Sequence, residues 1–254
     1  MVNHWSIPID NIQVNKVSGC LGRGAYGSVF LGDWLGTPVA VKCFDSSFPD
    51  EIKRNVRREF DTMTRIHHPN VCQLLGYTEE PFQIVMEYFD RGNLGEFIGK
   101  KNCSLKERYG IMVDILRGCS YLHNKLPEQV VHRDIKPENL LVSRSGRVKI
   151  ADFGLSKIIN SDNDTIKGGF RCGTRNYMAP EIFRKMPHNE KVDIWSLGVI
   201  ARGMLWDVIP SPIIDSMNSY DPSERPSAYD LLLYFTDLYD NASIDESQVC
   251  CNLF

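Results

Sequence analysis

Neither sign of charge dominates this sequence: 29 Lys and Arg stand against 32 Asp and Glu, a formal net charge of −3. A balance of that kind gives no electrostatic footprint for nucleic acid. Long apolar runs are lacking as well. The most apolar stretch, IWSLGVIARGMLWDVIP, is cut by Arg202 and Asp207 and reads as a buried helix, not a membrane span. The cysteines Cys20, Cys43, Cys72, Cys103, Cys119, Cys172, Cys250 and Cys251 form no C-x-x-C pair and no regular framework. A chain of 254 residues has core enough to do without staples, so reduced thiols and a cytoplasmic setting are expected. MVNHWSIPID has no basic region followed by an apolar one, so no signal peptide is expected, and the sequons at Asn163 and Asn241 carry no weight. Internal repeats and low-complexity tracts are also missing. What remains is one large domain or two small lobes.

The pattern changes character along the chain. Up to about residue 90 the signals are strands: LGRGAYGSVFLGDW, TPVAVKCF and QIVMEYF, the first two joined by glycine turns. One helix interrupts them, DEIKRNVRREFDTMTRI over 50–66, with Ile52, Val56, Phe60, Met63 and Ile66 on one face. Glu59 lies on that same inward face, where a carboxylate wants a basic partner. After a short segment, DRGNLGEF, the sequence turns helical. Tyr109, Met112, Val113, Leu116 and Cys119 make a buried stripe in SLKERYGIMVDILRGCSYLHNKL. NLLV and RVKIADF then read as two strands joined by the turn SRSG. A polar segment over 154–178 and helices from about 190 to 238 follow. The expectation is a small β-rich lobe, a hinge near 87–92 and a larger helical lobe, with a cleft between lobes as the usual place for a ligand.

One stretch concentrates charge against this background. VVHRDIKPENLLV sets His132, Arg133, Asp134, Lys136 and Glu138 between apolar pairs typical of buried strands. Unpaired charge inside a protein costs several kcal/mol, so these groups are either fully paired for structure or kept for chemistry. Upstream, G22-R-G24-A-Y-G27-S-V29 could bring backbone close to a phosphate, although such glycines also serve ordinary turns. Thirteen residues after Val29, Lys42 sits in the strand VAVK, with Glu59 as its natural partner.

Taken together the motifs resemble the protein kinase family, from about Leu21 to Arg225. GRGAYGSV, VAVK, a helix glutamate nine residues before HPN, MEY, HRDIKPEN, DFG, APE, DIWSLG and DPSERPS stand in family order. GDWLGTPVAVK and GTRNYMAPE are most similar to the tyrosine-kinase-like group of Ser/Thr kinases. The resemblance implies an α+β, bilobal fold: a small β-rich N-lobe over about 1–87 with one main helix, a hinge at 87–92, and a larger but shortened helical C-lobe over 93–240. It also implies transfer of the γ-phosphoryl group of Mg-ATP to a Ser or Thr hydroxyl of a protein substrate.

The roles follow position by position from that resemblance. Gly22, Gly24 and Gly27 would lay backbone amides over the ATP phosphates, and Lys42 would hold phosphate oxygens while paired with Glu59. Asn139 and Asp152 would hold Mg²⁺. Asp134 would accept the substrate proton, and Lys136 would neutralise the transferring group. Adenine would lie between Leu21, Val29 and Ala40 on one side and Leu141 on the other. Met86 corresponds to the gatekeeper, with the backbones of Glu87 and Phe89 on the adenine edge. Lys136 two residues after Asp134, and Thr174 before APE, favour Ser/Thr over Tyr. His132 reads as a packed core histidine, Asp193 as an acceptor for catalytic-loop backbone, and Glu181–Arg225 as a buried structural pair.

Three features depart from the family pattern or stand outside it. Only 32 positions separate Asp193 from Arg225, too few for the usual run of helices, so the substrate-docking helix is expected to be missing or reduced. A nucleotide-binding pseudokinase or scaffold is the alternative that this shortening raises. Arg133 and Lys157 resemble a pocket for an activation-loop phosphate, yet the common acceptor position is Phe170, which leaves Thr165 or Ser161 as the expected switch. Finally, residues 241–254 read as a tail whose last four, CNLF, have C-a-a-X form, with Cys251 placed for a prenyl group and Cys250 for a second lipid. The acidic IDES before it opposes membrane binding, and an unlipidated tail is the other reading.

Overall fold

β-Branched residues and tight turns build the first sheet. In the computed structural model, which describes residues 5–24, 27–44, 57, 59–101, 103–124, 128–159, 165–169, 171–205 and 208–242, six strands come first. They are β1 (Ile12–Val14), β2 (Cys20–Gly24), β3 (Gly27–Trp34), β4 (Thr37–Cys43), β5 (Leu74–Thr78) and β6 (Gln83–Glu87). The sheet is antiparallel in the order β1-β3-β4-β6-β5, with β2 paired to β3 off that path. Leu35 and Gly36, both at positive φ (51° and 86°), turn β3 into β4, and the Asp33 carboxylate accepts the Gly36 N–H at 2.7 Å.

Register assigns the two faces of this sheet. Val29 pairs with Lys42, Lys42 with Ile84, and Ala40 with Met86. Cross-strand partners share a face and so do alternate residues, which places Val29, Ala40, Lys42, Ile84 and Met86 together. Val39, Val41 and Val85 line the opposite face, fully buried against Ile7 and Ile12. Among the described residues of the expected helix over 50–66, 57 and 59–63 are helical. Phe60 anchors them edge-on to Tyr77 of β5 at 4.9 Å. The helix stops short of Ile66, because the chain tightens there: Arg65 N–H reaches Thr62 O and Ile66 N–H reaches Met63 O. Ile66 is nonetheless buried.

The second set of elements is mainly helical: α1 (Leu94–Lys100), α2 (Leu105–Asn124), α3 (Pro180–Phe183), α4 (Lys191–Leu205), α5 (Ser211–Met217) and α6 (Ala228–Asn241). Short two-stranded ribbons join them. β8 (Leu140–Val142) pairs with β9 (Val148–Ile150), and β7 (Gln129–Val131) pairs with β10 (Lys157–Ile159). Helix α1 begins inside the segment expected to be a connector. Asn93 caps it, accepting the Glu96 N–H at 3.0 Å. Helix α2 is buried nearly all round: the expected stripe is inside, and Ile111, Ile115 and Leu122 join it. That makes it the centre of the core instead of an amphipathic cover. IWSLGVIARGML lies in α4, and among the described residues no helix is long and apolar enough to cross a membrane.

The chain divides into two compact units, Met1–His67 with Cys72–Asp90, and His68–Val71 with Arg91–Phe254. The short excursion His68–Val71 belongs to the helical unit for a physical reason. Asn70 Nδ2 donates to Val148 O at 2.9 Å, Ile150 N–H donates to Asn70 O at 2.9 Å, and Val71 bridges to Ile150. Gly118 of α2 permits this crossing, since a Cβ there would lie 2.8 Å from Asn70 O.

Candidate active site

In the β-rich unit the polar centre is one buried ion pair. Lys42 Nζ lies 2.5 Å from Glu59 Oε1, with the two side chains 10% and 2% exposed. Few cation–carboxylate pairs are kept so dry unless geometry compensates their desolvation. The shared sheet face sets Val29, Ala40 and Met86 beside this lysine. Gly27 has no room for a side chain: a Cβ would lie 2.2 Å from Cys43 O. Gly22 pairs with Val29, and Leu21 is exposed. Glu87 anchors the end of β6, its carboxylate accepting the Gln73 N–H at 2.7 Å, and Phe89 is buried beyond it.

The helical unit carries the denser cluster. Strand β7 delivers the chain to His132, and a 3-10 turn at Pro137–Asn139 returns it into β8. Between them, backbone donors meet Asp193 at the start of α4. His132 N–H reaches Oδ2 at 2.9 Å, Arg133 N–H reaches Oδ1 at 2.8 Å, and His123 Nε2 donates to Oδ2 at 2.9 Å. Burial pushes the Asp193 carboxyl pKa up, but the His123 hydrogen bond and neighbouring donors outweigh it and hold it below the usual range. Arg133 takes the left-handed conformation, φ 66°, and its Nε donates to Leu155 O at 2.7 Å, with Nη2 on the same oxygen. His132 is fully buried, bonds Ala151 O through Nε2 at 3.0 Å and stacks edge-on with Phe153 at 5.1 Å.

These anchors fix Asp134, whose carboxylate receives four hydrogen bonds. Thr174 N–H (2.8 Å) and Thr174 Oγ1–H (2.9 Å) reach Oδ1. Asn139 Nδ2 (3.1 Å) and Lys136 Nζ (2.9 Å) reach Oδ2. Lys136 Nζ also donates to Thr174 Oγ1 at 2.7 Å, closing a ring of three side chains. Gly173, at φ 94°, makes the approach possible, because a Cβ would stand 2.5 Å from Arg133 O. Asn139 Nδ2 donates to both the carboxylate and the carbonyl of Asp134, so the amide oxygen is the atom left for a cation. Ala151 N–H donates to Asn139 O at 2.9 Å, which brings the next residue, Asp152 (φ 64°, exposed), alongside. Left-handed backbone at two non-glycine residues beside one carboxylate is strain concentrated at a site. Leu141 lies in β8, half-buried.

Sequence reasoning placed Thr174 only as a mark of substrate class, whereas it contacts Asp134 through both backbone and hydroxyl. The CGT spacing, with glycine directly before it, was the available signal. Arg133 and Lys157 both act on the Cys172 thiol, whose pKa burial pushes up while the two cations pull it down. Thr165 precedes Ile166, which exchanges backbone hydrogen bonds with His188 at 2.8 and 3.1 Å. Ser161, Phe170, Cys250 and Cys251 lie outside the described residues.

The β-rich unit thus carries a buried lysine–glutamate pair, and the helical unit by itself carries a carboxylate ringed by lysine, threonine and asparagine. The chain matches the family described as Protein kinase domain over residues 16–224, and it belongs to that family. Family members use ATP and Mg²⁺. The chain is similar to Serine/threonine-protein kinase VIK of Arabidopsis thaliana, 37% identical over 79% of this chain and 48% of that protein. It is 40% identical to Probable serine/threonine-protein kinase SIS8 (74% of this chain, 18% of that protein), also from Arabidopsis thaliana. It is 37% identical to Serine/threonine-protein kinase CTR1 of the same plant, over 74% of this chain and 23% of that protein. The chain thus spans about half or less of the length of these relatives.

Proposed function

We propose that this chain transfers the γ-phosphoryl group of ATP to Ser or Thr hydroxyls of a protein substrate. The observation that carries the reading is the Asp134 carboxylate, held by Thr174, Lys136 and Asn139. A carboxylate has about four lone-pair sites, and four donors fill them here. A substrate hydroxyl therefore enters by replacing a donor, and the Thr174 hydroxyl is the chemical match. Asp134 then orients that hydroxyl and takes its proton as the oxygen attacks. Lys136, already on both Asp134 and Thr174, neutralises charge on the transferring group.

The donor set suits a hard divalent cation: the Asn139 amide oxygen and the Asp152 carboxylate are hard oxygen ligands. Mg²⁺ held there would supply charge neutralisation on the phosphates. Lys42, oriented by Glu59, would hold phosphate oxygens, with Gly22, Gly24 and Gly27 giving backbone amides. Leu21, Val29, Ala40, Met86 and Leu141 would offer apolar contact to adenine, with the backbones of Glu87 and Phe89 at its edge. A scaffold that works through shape has no need of Lys42, Glu59, Asp134, Asn139 and Asp152 together. Arg133 and Lys157 would receive a phosphate on Thr165 or Ser161. Alanine at both positions should lower activity, and unchanged activity rules that switch out.

Incubation with γ-labelled ATP, Mg²⁺ and a generic protein, followed by phosphoamino-acid analysis, tests the whole reading. Label in phosphoserine or phosphothreonine is expected. Label confined to phosphotyrosine, or nucleotide bound without any label transferred, overturns it.

A further inference from the structure

Phe183 (39%), Met186 (49%) and Tyr220 (71%) are among the large apolar side chains that stand exposed in the helical unit. Arg171, Arg184 and Lys185 are exposed with them. Two contacts pair four of the six, and Lys185 and Met186 follow Phe183 and Arg184 directly in sequence. The Arg171 guanidinium lies 4.0 Å from the Phe183 ring centroid, and its Nε donates to Phe183 O at 2.9 Å. That of Arg184 lies 5.8 Å from the Tyr220 ring centroid. Grouped exposed aromatics on a folded unit mark contact surfaces, and Arg, Met and aromatic residues are the types enriched in interface centres.

The surface is rigid. Helix α3 ends in a paired-hydrogen-bond turn with Lys185 left-handed at φ 61°: Lys185 N–H reaches Ile182 O at 3.0 Å, and Met186 N–H reaches Glu181 O at 2.8 Å. Tyr220 packs edge-on against Trp195 at 5.9 Å, and the buried Arg225 guanidinium sits 5.1 Å over that indole. Little conformational entropy remains for a partner to offset. Of the nearby acids, Glu181 is neutralised by Arg225 at 2.6 and 2.9 Å. Asp221 and Glu224 accept only from Ser223 and Ser219 and keep their charge on the Tyr220 side. Arg171, Arg184 and Lys185 outnumber these two carboxylates around the apolar centre, and that surplus of positive charge selects an acidic partner.

Its position in the chain gives the surface a use. Arg171 lies three residues before Thr174, and Gly168 approaches the patch so closely that a Cβ would meet Lys185 O at 1.9 Å. Among the described residues between Asp193 and Arg225 the helical pieces are the remainder of α4, the seven-residue α5 and a 3-10 turn at Pro222–Glu224, none of them a long separate helix for docking.

We propose that Phe183, Arg184, Lys185, Met186 and Tyr220 form a docking site for an acidic segment of the protein substrate bearing an aromatic or long aliphatic side chain. The term substrate rests on the function proposed above; binding of the segment does not. A short fluorescent peptide rich in Glu and Asp with one Phe and one Leu, and its counterpart with lysines in place of the acids, would be titrated by anisotropy without ATP. The acidic peptide should bind, more weakly as salt rises. Arg184→Glu with Lys185→Glu, and separately Met186→Ser with Tyr220→Ser, should each weaken it by about tenfold or more. Melting temperatures of these surface variants should match the parent. In phosphotransfer assays, KM for an acceptor peptide joined to that segment should rise about tenfold. The bare acceptor peptide should show unchanged kcat/KM. Equal binding of the lysine counterpart, or unchanged affinity in both variants, overturns the proposal. So does concentration-dependent dimerisation abolished by Met186→Ser with Tyr220→Ser, which would assign the surface to a second copy. Because anisotropy needs no catalysis, absence of phosphotransfer leaves this test decisive.

Discussion

Asp193→Asn removes one charge from the helical unit while keeping the shape of the side chain. Oδ2 accepts two hydrogen bonds and Oδ1 one, all at 2.8–2.9 Å. An amide has only one acceptor oxygen. With that oxygen toward His132 and His123, its NH₂ group opposes the Arg133 N–H. The lost bond to a charged acceptor is worth about 1.5–3 kcal/mol. Arg133 also relaxes from a left-handed conformation that costs about 1–2 kcal/mol, so the refolded loop recovers part of the loss at the expense of its geometry. A net destabilisation of about 1–3 kcal/mol follows, which for a body of this size lowers Tm by roughly 2–12 °C. Activity should fall further than stability explains, because the same backbone positions Asp134. The depressed Asp193 pKa sets the pH dependence. Stability from such a group is present above the unfolded value of about 3.9 and is lost as pH falls through the lower folded value. Thermal melts at neutral pH should separate the two proteins, and melts below about pH 4 should bring them together. Identical Tm at neutral pH would refute the assigned role of Asp193.

Two further substitutions probe the two units separately. Thr174→Val keeps the backbone N–H on Asp134 but removes the hydroxyl that holds Lys136 in place for the transferring group. We expect kcat to fall about 10–100-fold with little change in KM for ATP, measured by steady-state kinetics. Lys42→Met withdraws the ammonium from the buried Glu59 carboxylate. Nucleotide affinity should fall, and a cycle with Glu59→Gln by denaturant unfolding should show coupling of about 1–3 kcal/mol; additive single effects would contradict a working pair.

Much of the site was legible because its residues are close in sequence or tied to fixed motifs. HRDIKPEN carries Asp134, Lys136 and Asn139 within six positions, and the strand VAVK announced Lys42. Hidden features depend on contacts between distant segments. β7 and β10 are three residues each and exist through one another, so neither has a periodicity of its own. Helix α1 escaped notice because Gly92, Gly95 and Gly99 mimic loop composition, although Asn93 with Glu96 three residues later was a capping signal. The dual grip of Thr174 on Asp134 spans 40 positions and could not be read locally. The reduced stretch between Asp193 and Arg225 was legible as a count. The exposed aromatic–cation surface around Tyr220 was not legible.

Single-turnover transfer of labelled phosphate from Mg-ATP, wild type against Asp134→Asn, tests the central claim most directly. Nucleotide binding should be nearly the same in both, while the transfer rate falls by about 10²–10⁴-fold in the variant. Equal transfer rates in the two proteins would contradict Asp134 as the base.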